Sequence, residues 1–99
     1  MNLRHAAALA LVGWYLMMPP GNLNTCPDSN TPISEWEVSA SFDTATQCTS
    51  AKNKQWNDAF HAQAKVGFKG QCGGGFDPLW SKLMQAECIA TDDPRLKGR

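Results

Sequence analysis

Apolar and polar residues change period three times along this chain. Residues 14–18, WYLMM, are apolar at every position. As a strand, the segment sends Trp14, Leu16 and Met18 to one face and Tyr15 and Met17 to the other. Pro19 and Pro20 end it, because neither can donate to a β-ladder. Residues 35–42, EWEVSASF, alternate strictly. Trp36, Val38, Ala40 and Phe42 interleave with Glu35, Glu37, Ser39 and Ser41. This period of two predicts a half-buried strand with one wet face.

From Asp43 the period lengthens to that of a helix. Thr44 with Gln47 three residues on forms a capping box, and Asp43 is an alternative N-cap. Ala45, Cys48 and Ala51 share one helical face, and Trp56, Ala59, Phe60 and Ala64 continue an apolar stripe. Each tryptophan, Trp56 included, occupies a position suited to the core. Lys65 and Gly67 suit a C-terminus, while the polar interval Lys52–Gln55 predicts a bend or break. Asp77-Pro78 opens a short second helix, whose Leu79, Trp80, Leu83 and Met84 read as a core-facing side. Cys88 and Ala90 alternate with Ile89 and Thr91, so residues 87–91 read as a last strand before the turn Asp92-Asp93-Pro94.

The intervening segments are loops. Residues 21–34 are rich in Asn, Pro, Ser and Thr. Residues 67–76, GFKGQCGGGF, raise the question of a phosphate cradle. A P-loop needs G-x-x-x-x-G-K-[ST] between strand and helix, and that order is absent, so the stretch reads as a flexible connection. The elements together predict an α+β fold. A small three-stranded sheet, expected to be antiparallel, is built from residues 14–18, 36–42 and 87–91. One long and one short helix cover its apolar face.

The amino terminus changes the picture of compartment. MNLRH is short and basic, and AAALALV is wholly apolar, which is the order of a secretory signal. The uncharged run from Ala6 to Met18 would span roughly 20 Å as a helix, short of the ~30 Å hydrocarbon core. Ala8-Leu9-Ala10 has the small-x-small form of a cleavage site but comes early. Gly13 fits before a cut, although Leu11 is not small. A very short signal, an uncleaved apolar anchor and a start placed too far downstream all remain open. So does a cytosolic chain with an apolar first helix. The reading favoured is a signal or anchor over residues 1–13, one domain over 14–94 and a solvated tail over 95–99.

Ninety-nine residues make one domain at most. Such a chain buries only about 60–65% of the surface its unfolded form exposes, so the core is marginal alone. A hydrophobic content of 42% with four Trp and four Phe excludes a disordered chain. Nine basic and nine acidic residues are scattered without a run, which argues against nucleic acid as partner. Four cysteines, Cys26, Cys48, Cys72 and Cys88, suggest two disulfides in an exported chain, with three connectivities open. No C-x-x-C pair supports a metal knuckle or a redox dithiol, and no cofactor is implied.

Three motifs carry a resemblance. GWYLMMPP, then SFDTATQC, then CIATDDPRLKG make the chain similar to a group of small exported bacterial proteins. These share a W-Y-L-M/L-x-P-P start, an F-D-[ST]-A-x-x-C helix start and a C-[IV]-A-[ST]-D-D-P-R-L end. The resemblance implies export and a shared fold, and supplies no reaction. Because Cys48 and Cys88 lie within the shared motifs, it also implies that they pair, leaving Cys26 with Cys72. The pre-WYLM segment is shorter than in the group.

Candidate chemistry is sparse. His61, beside Phe60, is the one histidine outside the amino-terminal segment, and no nucleophile signature accompanies it. Asp92 with Asp93 and Glu35 with Glu37 are the paired carboxylates an acid–base enzyme would need. Turn chemistry accounts for the first pair and a wet strand face for the second, and these readings are favoured over catalysis. The expectation is therefore an exported structural or binding module with no catalytic site and with an envelope protein as candidate partner. The alternatives are an accessory subunit tethered by residues 6–18, with membrane contact only through that segment, and a small carboxylate enzyme.

Overall fold

The computed structural model describes residues 12–97. Residues 1–11, which hold most of the candidate signal, and the last two residues of the expected tail lie outside the described residues. Three strands form one antiparallel sheet: β1 (Trp14–Met18), β2 (Glu37–Phe42) and β3 (Glu87–Ala90). Helix α1 spans Ala45–Val66 and helix α2 spans Pro78–Met84. This is the α+β architecture the periodicity predicts. The strand order is β2-β1-β3, so the chain leaves β2 through both helices and returns on the far side of β1.

The uniform apolarity of β1 makes it the central strand. Leu16 packs with Cys48 and Ala86, with Trp14, Met18, Ala40, Phe42, Ala51 and Cys88 around them. Met17 packs on the opposite face with Trp36 and Ile89, closed over by Tyr15, Ile33 and Leu96. Helices thus cover one face, and two 3₁₀ turns, Ile33–Glu35 and Pro94–Leu96, cover the other. The carboxyl end is therefore not wholly solvated: Leu96 belongs to the second apolar layer.

The strict alternation of residues 35–42 does not survive as one continuous face. The register jumps from Leu16↔Ala40 to Met17↔Val38, which leaves Ser39 as a bulge. One extra residue inverts the facing of everything before it. Trp36 and Val38 consequently share the face of Met17, while Ala40 and Phe42 share that of Leu16. Glu37, expected on a wet face, pairs with Met18 on the helix side and meets Lys82 of α2 at 2.7 Å. Glu35 lies outside the strand in a 3₁₀ turn, so the two glutamates do not form a pair on one face.

Helix α1 begins with the capping box expected of Thr44 and Gln47. The Gln47 amide donates to Thr44 Oγ1 at 3.1 Å, and Gln47 Oε1 accepts from the Thr44 and Asp43 amides. No break occurs at Lys52–Gln55, where the helix runs through to Val66. Gln55 instead faces inward and donates to the Leu83 carbonyl at 3.0 Å, tying α1 to α2. In α2 the buried side chains are Pro78, Ser81 and Lys82, whereas Leu79 is exposed. The apolar side read from that helix is thus only partly its buried side.

Two disulfides are present, Cys48–Cys88 and Cys26–Cys72, the partners the resemblance implies. The first joins α1 to β3 across the main core, and the second ties the loop after β1 to the glycine-rich turn. At sequence separations of 40 and 46, each removes about 4 kcal/mol of denatured-state entropy in the chain-entropy view. Such bridges suit an oxidising, extracytoplasmic compartment. Among the described residues, no helix is long and apolar enough to cross a membrane.

Candidate functional site

The feature that packing alone does not account for lies where α1 meets the glycine-rich turn. Trp56 and Phe60 stand one helical turn apart and stack with ring centroids 5.4 Å apart and planes 7° from parallel. They belong to the flank of α1 and not to its buried line, which runs through Cys48, Ala59 and Gln63. The tryptophan read as core is 41% exposed.

Two further rings come from the turn. Gly67, with φ 86°, ends the helix and reverses the chain. Phe68 then lies 5.6 Å from Phe60, and Phe76 lies 5.5 Å from Phe68 and 6.4 Å from Phe60. The result is a cluster of four rings with Phe68 46% exposed at its outer side. Edge-to-face and offset geometries of this kind add about 0.5–1.5 kcal/mol per pair beyond area burial.

The turn is not the flexible connection expected of so many glycines. Its amides at Gly70, Cys72 and Gly75 donate to the carbonyls of Gly75, Phe76 and Cys72 at 2.8, 3.0 and 2.9 Å. Glycine is required at two points for steric reasons. A Cβ at Gly70 would overlap the backbone of Phe76 and Asp77. At Gly75, φ is +83° and a Cβ would overlap the Phe68 carbonyl. The buried Gln63 side chain accepts from the Asp77 amide at 2.7 Å and donates to the Gly67 carbonyl, clamping both ends of the loop. Cys72 adds the covalent tie to Cys26.

The residues singled out for chemistry lie apart from one another. His61 is exposed and touches Phe60 edge-on, with centroids 6.1 Å apart. Asp93 caps the final 3₁₀ turn, accepting from the Arg95 amide at 2.8 Å and from its guanidinium at 2.9 Å. That guanidinium, followed by the Arg95 amide, holds the carboxyl below its ordinary value. Asp92 is exposed beside it. Among the described residues, no group of three or more His, Cys, Asp or Glu could hold a metal. An open depression at the start of α1 is lined by Ser41, Asp43, Thr44, Thr46, Gln47 and Ser50. Its Thr44 and Gln47 side chains are already engaged in capping. Compared with known proteins, the chain matches no family model, no curated protein and no solved structure.

Sequence reasoning missed the ring cluster because it assigned Trp56 and Phe60 to the core stripe. The available signal was angular. Trp56 and Phe60 lie about 60° and 100° around the helix from Ala59, whereas Gln63, which is buried, and the inward Gln55 lie within about 40° of it on either side.

Proposed function

We propose that this chain is an exported, non-enzymatic binding module of a bacterial envelope or exterior, acting through the ring cluster at the end of α1. The observation that carries this reading is the cluster itself. Of its two partly exposed rings, Trp56 stands on α1, and Phe68 stands on a turn fastened by a buried glutamine and a disulfide. Rigid aromatics with an exposed edge are the usual anchors of binding surfaces. Export is supported by the two disulfides, the basic-then-apolar start and the three shared motifs.

The described residues also bear on where a signal would end. The Gly13 amide donates to Thr91 Oγ1 at 3.1 Å, and its carbonyl accepts from the Thr91 amide at 2.9 Å. A cut after Gly13 would remove this rung, so processing further upstream, as at Ala8-Leu9-Ala10, suits the fold better. Tethering by residues 6–18 fits less well, because Trp14–Met18 form the central strand. A carboxylate enzyme has as little support, since Glu37 is committed to Lys82 and Asp93 to Arg95.

The test places a photo-crosslinking phenylalanine analogue at Phe68, and at the exposed Ser41 of β2 as control, in a bacterium with an intact export pathway. The expected product is oxidised, extracytoplasmic, starts upstream of Gly13 and crosslinks an envelope component from position 68 alone. A reduced cytosolic product, or crosslinking indifferent to position, would refute the reading.

A further inference from the structure

The three shared motifs meet at the entrance of β1. Trp14 pairs with Phe42 of β2 on one side and with Ala90 of β3 on the other. One residue upstream, the Gly13 amide donates to Thr91 Oγ1 at 3.1 Å, and the Gly13 carbonyl accepts from the Thr91 amide at 2.9 Å. On the β2 side, a Cβ at Gly13 would lie 3.1 Å from the Phe42 carbonyl, so that flank is filled as well. Val12, before it, is half-buried. The partners are far apart in the chain: β1 is the first strand of the sheet and β3 the last.

From this arrangement we propose that removal of the amino-terminal segment is gated by folding: a peptidase cutting after Ala10 acts only until β3 closes on β1. The proposal rests on the export reading given above and says when its processing step occurs. The step is a hydrolysis. Water adds across the Ala10–Leu11 peptide bond, leaving a carboxylate on Ala10 and an amino group on Leu11. A peptidase holds its substrate as an extended strand, through backbone hydrogen bonds and pockets for alternate side chains. The three residues that follow this cut are Leu11, Val12 and Gly13. Once Thr91 engages both polar groups of the Gly13 backbone, neither is left for the enzyme. An edge strand would keep one side free, but β1 is central and has both sides occupied. Cutting in the folded molecule then requires the start of β1 to open, and its rate follows the population of that opened state. The order that results is emergence of β3, cleavage, closure of the sheet, and locking by Cys48–Cys88, which joins α1 to β3.

The experiment incubates the oxidised full chain and the reduced, carboxymethylated chain with detergent-solubilised bacterial signal peptidase, and reads the new amino terminus by mass spectrometry. A carboxymethyl group on the fully buried Cys48 keeps the second chain unfolded, which circular dichroism checks. The expected result is a cut after Ala10 in the carboxymethylated chain, slowed roughly tenfold or more in the oxidised one. A third chain carries a glycine-serine spacer of about six residues between Leu11 and Val12, which moves the cut roughly 20 Å clear of the sheet. Folded and oxidised, this chain should be cut as fast as the carboxymethylated parent. Equal rates for the two parent chains would overturn the gate and leave the signal reading standing. A spacer chain that resists cutting when folded would do the same. Absence of any cut in the carboxymethylated chain would overturn the signal reading and the gate together.

Discussion

Two lysine–carboxylate pairs in this molecule have the same 2.7 Å separation and opposite surroundings. The Lys54 and Asp58 side chains are 78% and 66% exposed, whereas that of Lys82 is 11% exposed. Lys82 also donates to the Gly21 carbonyl at 3.0 Å, so it fastens α2 to both β2 and the loop after β1. Lys82→Met should therefore cost about 1–3 kcal/mol, since it strips a part-buried carbonyl of its donor. Lys54→Met should stay within about 0.5 kcal/mol. Urea unfolding of the two variants checks this, and equal effects would refute the role given to Lys82. Asp93 makes a different kind of residue-scale prediction. Its folded pKa is lowered below 3.8 by Arg95, so its contribution is present above that ordinary value. That contribution is lost as pH falls through the lower folded value. Asp93→Asn should lower stability slightly at neutral pH and match the parent chain in strong acid, so that its decline on acidification is flatter, measured as the pH dependence of the unfolding midpoint.

At the scale of elements, the capping box carries a testable share of α1. Thr44→Ala should cost about 1 kcal/mol, read by thermal unfolding, because it frees the Gln47 amide that Thr44 Oγ1 accepts. Gly75→Ala should cost more than a typical surface change, since the new Cβ meets a carbonyl and φ is positive. Its signature should be altered near-ultraviolet dichroism, because the turn positions Phe68 and Phe76. The same two elements show what was legible from sequence. The start of α1 was readable because a capping box is a local pattern that needs no tertiary information. The apolar run of β1 was readable as a strand with two apolar faces, but its central place in the order β2-β1-β3 shows only in the pairing. The Ser39 bulge was hidden, because the alternation around it is perfect and only pairing with β1 reveals the extra residue. Continuity of α1 through Lys52–Gln55 was hidden for a related reason. The polarity that suggested a break includes Gln55, whose inward amide is satisfied by a carbonyl of α2. The glycine turn was misread as slack because glycine content is compatible with both freedom and tight closure, and only the clash at Gly70 and Gly75 distinguishes them.

For the molecule as a whole, the two disulfides close loops of similar length but hold different things. In the unfolded chain they are nearly equivalent, each worth about 4 kcal/mol by loop closure at separations of 40 and 46. In the folded state they are not. Cys48 is fully buried against Leu16 and Ala86, so the Cys48–Cys88 sulfurs are part of the core between α1 and the sheet. Cys72 is buried too, but it and the half-buried Cys26 both lie in loops outside the two apolar clusters, and their bridge secures the turn that carries Phe68 and Phe76. A dithiol at low concentration should therefore reduce Cys26–Cys72 first, because its sulfurs become accessible through local opening of loops. Cys48–Cys88 should wait for global unfolding. Partial reduction followed by alkylation and peptide mass mapping would establish the order. The paired variants should separate in the same way. Cys26→Ser/Cys72→Ser should lower stability while keeping the far-ultraviolet spectrum and blurring the aromatic near-ultraviolet bands. Cys48→Ala/Cys88→Ala should lose the loop-closure term and, in addition, leave a void beneath β1, making it the less stable of the two. If both bridges were reduced together, or if the first variant lost the sheet, the division between a covalently pinned core and a separately pinned ring surface would be wrong. The ring cluster would then be an extension of the core with no independent support. If the order holds, the chain devotes one of its two covalent links to the surface on which the binding proposal rests.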